Sequence, residues 1–457
     1  MTRARGAAVE LASFCAGLRW DALPPAARER TKELVLDLIG VALRGSAAES
    51  SRAVQGYVAT QPIGAATVLG TGSRTGAAWA ALANGTGAHS TELDDVTRES
   101  SLHPGVAVIP AALAVAEERA APPPAFLEAV VAGYETTMRV GNALGPASAY
   151  RRGFHPTGVA GVFGAAVAAG RLHGLAAEGL ARAIGIAGTM ASGSIEYLAD
   201  GSWTKRLNPG WAAHAGIVAA GLAASGFTGP VTALDGRFGL LTGYTDEPLP
   251  ELLTADLGRP LQVMRVTIKP YACCRYTHPL IDGVLALRQE HGIAPEDVLH
   301  IRLGVLSSGA LLIAEPIERK REPLNVVDAQ FSAPFGAAVA LVFGKAGLAE
   351  HSVAALADPR VRALMSRTDC VRDPALDATY PARWEGSVEI GLRDGRSVRK
   401  HIEFALGEPE NPVSRDALVE RFVELAGARL DADAARSLAA KLLRLDADPV
   451  LPDLGSG

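Results

Sequence analysis

Between His89 and Gly105 the chain reads HSTELDDVTRESSLHPG, which puts two histidines, two glutamates and two adjacent aspartates between runs made almost wholly of Ala, Gly, Val and Leu. Such a stretch is either a solvated polar loop or the rim of a reaction site. Four segments share one feature, a titratable or cationic residue beside Pro or Gly at an expected helix edge: ELDDVTRESSLHPG (92–105), RRGFHPTG (151–158), SWTKRLNPGWAAHAG (202–216) and KPYACCRYTHPLID (269–282). In three of them a histidine directly precedes proline: His103, His155 and His278. Proline at the first helical position places the preceding histidine at the N-cap, beside unpaired N–H groups that favour anions. With Lys205, three such helix starts suit a carboxylate ligand, and histidine trades protons near neutral pH.

Each motif also has a plainer reading. A lone His-Pro is usually just a helix start. The Asp94-Asp95 pair alone is more often a solvated turn, and Lys205-Arg206 alone a surface cation pair. His173 and His214 lie in apolar helical patterns and read as core residues. Cys273-Cys274 reads as packing and cannot supply the three thiolates of an iron–sulfur centre. No HxxxH or HxH spacing supports zinc, so neither a metal nor another cofactor is expected.

These residues need elements to hold them. The 457 residues are 48% hydrophobic and 20% charged, enough for two domains with a large core. A net charge of −5, with no basic block and no zinc-finger spacing, argues against nucleic acid as partner. Four cysteines without a CxxC pair fit a reducing cytoplasm. The N-terminus has two early arginines, but Glu10 interrupts the apolar run and no signal peptide is expected. The most lipid-like run, 156–170, is too short to span a bilayer, so no membrane partner is expected. Helical patterns run over 24–45, 76–90, 104–119, 124–143, 156–173, 175–190 and 209–225. Many are Ala- and Gly-rich on more than one face, which predicts closely packed, buried helices. Near 260 the texture changes: LQVMRVTIKPY and VLHIRLGVLSS alternate like strands, and Asp394-Gly395 signals a hairpin. THPLIDGVLALRQEHG and NVVDAQFSAPFGAAVALVFGKAG read as helical, and so does the chain after 414. The expected fold is mainly α, with a large helical domain built from both chain ends (1–262 and 406–457) and a smaller α+β domain inserted at 263–405.

In this order and spacing, ANGTGAHSTELDD…HPG…IPAALAVAE, GFHPTGVAGVFGAAVAAGRLHGL, KRLNPGWAAHAGIVAAGLAASGFTGP, KPYACCRYTHPLID, DAQFSAPFG and GEPENP resemble the MmgE/PrpD family over nearly the whole chain. That family includes 2-methylcitrate dehydratase, cis-aconitate decarboxylase and iminodisuccinate epimerase. The resemblance implies a helical domain with a lid-like α+β domain, a metal-free site between them, and a homodimer. Position by position it assigns catalysis to Asp94, His103, His155, Lys205 and His278. Candidates to contact the ligand are Glu92, Asp95, Thr97, Arg206, Tyr276 and Phe335. Departures fall in the same places: Glu92 stands where Asp is frequent, Val96 where threonine is, Asn208 where histidine is, and Phe335 where tyrosine is. Known members make or break a bond beside a carboxylate-bearing carbon of a small di- or tricarboxylate. That chemistry needs a base, an acid and a cation for the enolate-like charge. The expectation is a metal-independent hydro-lyase acting on a short hydroxy-carboxylate. Epimerisation or decarboxylation is the alternative, and a catalytically silent binding protein a third.

Overall fold

The computed structural model describes residues 6–455. It is mainly helical, with only a two-stranded and a four-stranded sheet among the described residues. The chain divides into two compact units: Met1–Val266 with Ser414–Gly457, and Thr267–Val413. Among the described residues no helix is long and apolar enough to cross a membrane.

The first unit is helical apart from a small antiparallel pair, Ala66–Val68 with Ser73–Thr75. Its helices include Pro25–Gly45, Ala77–Ala88, Gly105–Glu118, Pro123–Ala143, Pro156–Leu172 and Thr204–Ala224. Small residues decide how these pack. Every residue from Pro156 to Gly170 is buried, as small side chains that let neighbouring helices approach closely allow. A Cβ at Gly161 would stand 2.9 Å from that of Ala107 and 3.4 Å from that of Ala212, so three helices meet at this glycine. Thr204–Ala224 begins five residues before the expected 209, because Pro209 falls just past the first turn and removes only one bond, to the Lys205 carbonyl. Lys205 and Arg206 therefore lie on a helix. Two helices after the second unit, Arg415–Ala426 and Ala432–Leu443, belong to the first.

The second unit is built on the sheet order Thr368–Arg372, Val298–Val305, Gly386–Leu392, Ser397–Ile402. The first pairing is parallel and the others antiparallel. The Asp394-Gly395 turn joins the last two strands, with Gly395 at φ 89°, where a side chain would be strained. Helices His278–His291 and Ala333–Phe343 supply the core residues Ile281, Val284, Phe335 and Val339. Two expectations need correction. LQVMRVTIKPY is no strand: Gln262–Arg265 forms a 3-10 turn, and of the residues that follow Ile268 pairs its N–H singly with Gly407. Without a neighbouring ladder, alternation cannot make a strand. Conversely, Thr368–Arg372 is a strand that polarity hides, because as an edge it leaves Asp369, Val371 and Arg372 exposed.

Candidate active site

The HSTELDD segment is not a solvated loop. Helix Ala77–Ala88 runs into a 3-10 turn at His89–Thr91, and Glu92 then takes left-handed backbone at φ 58°. Thr97 closes the excursion by donating its N–H to the Leu102 carbonyl at 3.0 Å, and its hydroxyl pairs with that of Ser100. His89 and Asp94 are fully buried, and Glu92, Asp95 and Thr97 nearly so. A non-glycine residue in left-handed backbone costs on the order of 1 kcal/mol, and persists where surrounding contacts over-determine it.

Those contacts centre on His89, a residue that sequence reasoning did not select. Its Nδ1 lies 2.7 Å from Asp94 Oδ2, and His103 Nδ1 lies 3.0 Å from the same oxygen. His103 Nδ1 is also 2.7 Å from the Asp95 carbonyl. Each of these partners is an acceptor, so both Nδ1 atoms carry hydrogen and each Nε2 is left for other work. The His89 Nε2 is buried and has no hydrogen-bond partner among the described residues. The His89 ring stands edge-on to His103 at 5.0 Å and stacks on His155 at 5.8 Å. His155 accepts a hydrogen bond at Nδ1 from the Asn208 amide at 3.2 Å, which puts its proton on Nε2. Burial, together with the charges of His89, Lys205 and His103, holds the His155 imidazole neutral, well below the usual histidine range. The Lys205 ammonium pairs with Glu92. The His103 backbone N–H bonds the Thr157 hydroxyl at 3.1 Å, which ties the acidic loop to the His155 helix.

Asp95 makes two internal hydrogen bonds. One carboxylate oxygen accepts from the Gly105 N–H at 3.0 Å and the other from the Tyr134 hydroxyl at 2.6 Å. Burial pushes its carboxyl up to about 7; the Tyr134 bond opposes this and the Asp94 charge adds to it. Arg206 turns away from Glu92's partner and donates to the Ser50 hydroxyl at 3.2 Å. The helix-cap expectation holds for His155 alone. His103 lies one residue outside its cap, Pro104, and Asp95 already occupies the N-terminus of that helix. His278 is itself the first residue of its helix, behind Thr277.

Three candidates lie in the second unit, each in its own setting. His278 is fully buried, with Nε2 3.3 Å from the Cys273 carbonyl and its ring 5.1 Å from Tyr271. Burial, Arg275 and Lys269 push it well below the usual range. Tyr276 stacks flat on Trp384 at 4.1 Å, and Phe335 is a core residue 5.5 Å from the His351 ring.

One cluster of possible metal donors is invisible in the histidine spacing of the sequence. His89, Asp94 and His103 each offer a donor atom, all within 4.8 Å of one another. Their separations of 2.7 and 3.0 Å are those of hydrogen bonds. Ligands of a tetrahedral zinc would stand about 3.3 Å apart, from its bond lengths. The cluster therefore fits shared protons better than an ion.

Comparison with known proteins agrees with this arrangement of motifs. The MmgE/PrpD N-terminal domain matches residues 9–253 and the MmgE/PrpD C-terminal domain residues 271–446. The chain is 29% identical over 470 residues to the cis-aconitate decarboxylase-like protein oryM of Aspergillus oryzae, covering 97% of this chain and 95% of that protein. It is 29% identical to a cis-aconitate decarboxylase of Aspergillus terreus, covering 96% and 93%. It is 27% identical to the cis-aconitate decarboxylase of Homo sapiens, covering 92% and 88%. With both domain models matched in order over most of its length, the chain belongs to the MmgE/PrpD family.

Proposed function

We propose that the protein is a lyase that decarboxylates a small unsaturated carboxylic acid, with cis-aconitate as the first candidate. One observation carries the reading: two imidazoles, His103 and His155, gather around His89 and the buried Asp94, and the Lys205 cation, paired with Glu92, acts on His155. Relatives named for cis-aconitate decarboxylation favour loss of carbon dioxide over the dehydration expected first from the sequence and its family resemblance.

The proposed chemistry needs few parts. The bond from the departing carboxylate to its carbon breaks, and carbon dioxide leaves. The electron pair spreads over the unsaturated system into a remaining carboxylate. Lys205 stabilises that charge, a role for which a fixed cation in a dry site is effective. His103, hydrogen-bonded to Asp94, then delivers a proton to carbon and is recharged from water. His155, held neutral, suits hydrogen-bond donation from Nε2 rather than acid catalysis. Glu92 holds the ammonium when no substrate anion is present.

The test is proton NMR of cis-aconitate and a panel of hydroxy-acids with enzyme in deuterated water. Decarboxylation gives a product one carbon shorter, carrying one deuterium. Loss of hydroxyl would make it a dehydratase, exchange without conversion an epimerase. No change in any acid would sink the lyase reading.

A further inference from the structure

The acidic loop is held from an unexpected direction. After the second unit the chain returns to the first, and helix Arg415–Ala426 lies along helix Pro25–Gly45. The contact is close: a Cβ at Gly40 would stand 2.9 Å from the Phe422 ring. One residue earlier, Arg421 reaches through to the loop. Its Nε donates to Asp37 Oδ1 at 2.9 Å and its Nη2 to the Leu93 carbonyl at 3.0 Å. Leu93 sits between Glu92, which takes the Lys205 ammonium on left-handed backbone, and Asp94, which serves His89 and His103. Asp37 is buried; burial pushes its carboxyl up and the Arg421 charge pulls it back.

We propose that Arg421 is a positioning residue that clamps the Leu93 carbonyl and so sets where Glu92 and Asp94 point, making helix Arg415–Ala426 a working part of the first unit's site. The role of the loop rests on the lyase reading above; the clamp itself does not. An arginine is needed because two nitrogens of one rigid plane bond two acceptors that face different ways. A lysine in its place keeps the charge beside Asp37 but makes at most one of the two bonds well. The loop needs an external hold, because left-handed Glu92 is costly and reverts unless its neighbours fix it.

The experiment uses the full-length protein with Arg421→Lys and Arg421→Ala. Arg415→Ala serves as control, since Arg415 sits on the same helix and pairs with the half-buried Glu29 instead of the loop. Hydrogen–deuterium exchange, read by mass spectrometry on peptides covering 89–100, needs no substrate. Both Arg421 variants should exchange there about tenfold faster or more than wild type and Arg415→Ala, as a loop released to local opening does. Kinetics on whichever acid the wild type converts should show kcat lower by about 10- to 100-fold, with KM changed far less, as expected of misplaced catalytic groups. Arg421→Lys should show both effects while melting close to wild type, which a purely structural role would not produce. Wild-type exchange over 89–100 in Arg421→Lys, or a kcat within about twofold of wild type in that folded variant, would overturn the clamp. If the wild type converts no acid, the lyase reading fails and exchange alone decides.

Discussion

At the scale of single residues, His89 joins the groups that chemistry would use. It shares Asp94 with His103 and stacks on His155. His89→Ala removes a donor from a buried carboxylate, which costs about 1–3 kcal/mol. It also frees Asp94 to turn away from His103, so turnover should fall by at least about tenfold. Kinetics well below the melting temperature, with a melting curve alongside, separate the two effects. Asp95 makes a different prediction. Its folded pKa is raised from 3.8 to about 7, so between those values the folded protein binds a proton that the unfolded chain has lost. This contribution is fully present below the unfolded pKa and is lost as pH rises through the folded one. The wild-type unfolding free energy, less that of Asp95→Asn, should therefore fall from about pH 4 to about pH 7. A flat difference would mean that Asp95 carries no such proton. The His-Pro and Lys-Arg motifs were legible because proline marks helix edges. His89 was not: it follows an apolar helix with no proline beside it, and only folding brings it to His155.

At the scale of elements, the site depends on glycines that let helices touch. A Cβ at Gly210 would stand 2.4 Å from both the Leu82 carbonyl oxygen and the Thr86 hydroxyl. This contact fixes the Lys205 helix against helix Ala77–Ala88, whose end delivers His89. Gly210→Ala should force the two helices apart and destabilise by about 1–3 kcal/mol. Gly221 lies on the same helix facing open space, and alanine there should stabilise by up to about 1 kcal/mol through helix propensity. Thermal melting of the two variants in opposite directions checks the pair; equal shifts would refute the account. Ala- and Gly-rich periodicity announced this packing in the sequence. Register between helices did not appear there, because it depends on which glycine meets which backbone. The misread strand at 261–271 and the unseen one at Thr368–Arg372 have a matching cause, since a strand exists by virtue of its neighbour.

At the scale of the molecule, the sequence shows helical periodicity returning after GEPENP, where helices Arg415–Ala426 and Ala432–Leu443 stand. It held no sign that the returning helix reaches the acidic loop, because Arg421 looks like any arginine on an amphipathic face. The hydrogen-bonded geometry of His89, Asp94 and His103 predicts a reaction that runs without an ion there. Exhaustive dialysis against EDTA should leave turnover unchanged, and loss restored by one added metal would contradict it. The central claim is that a lysine cation beside convergent imidazoles handles a carboxylate substrate. Steady-state kinetics of Lys205→Ala beside Arg206→Ala tests it most directly, because Arg206 is a neighbouring cation directed at Ser50 instead. The account predicts a folded Lys205→Ala enzyme slower by about 100–1000-fold, and an Arg206→Ala enzyme affected far less. Near-normal turnover in folded Lys205→Ala would contradict it.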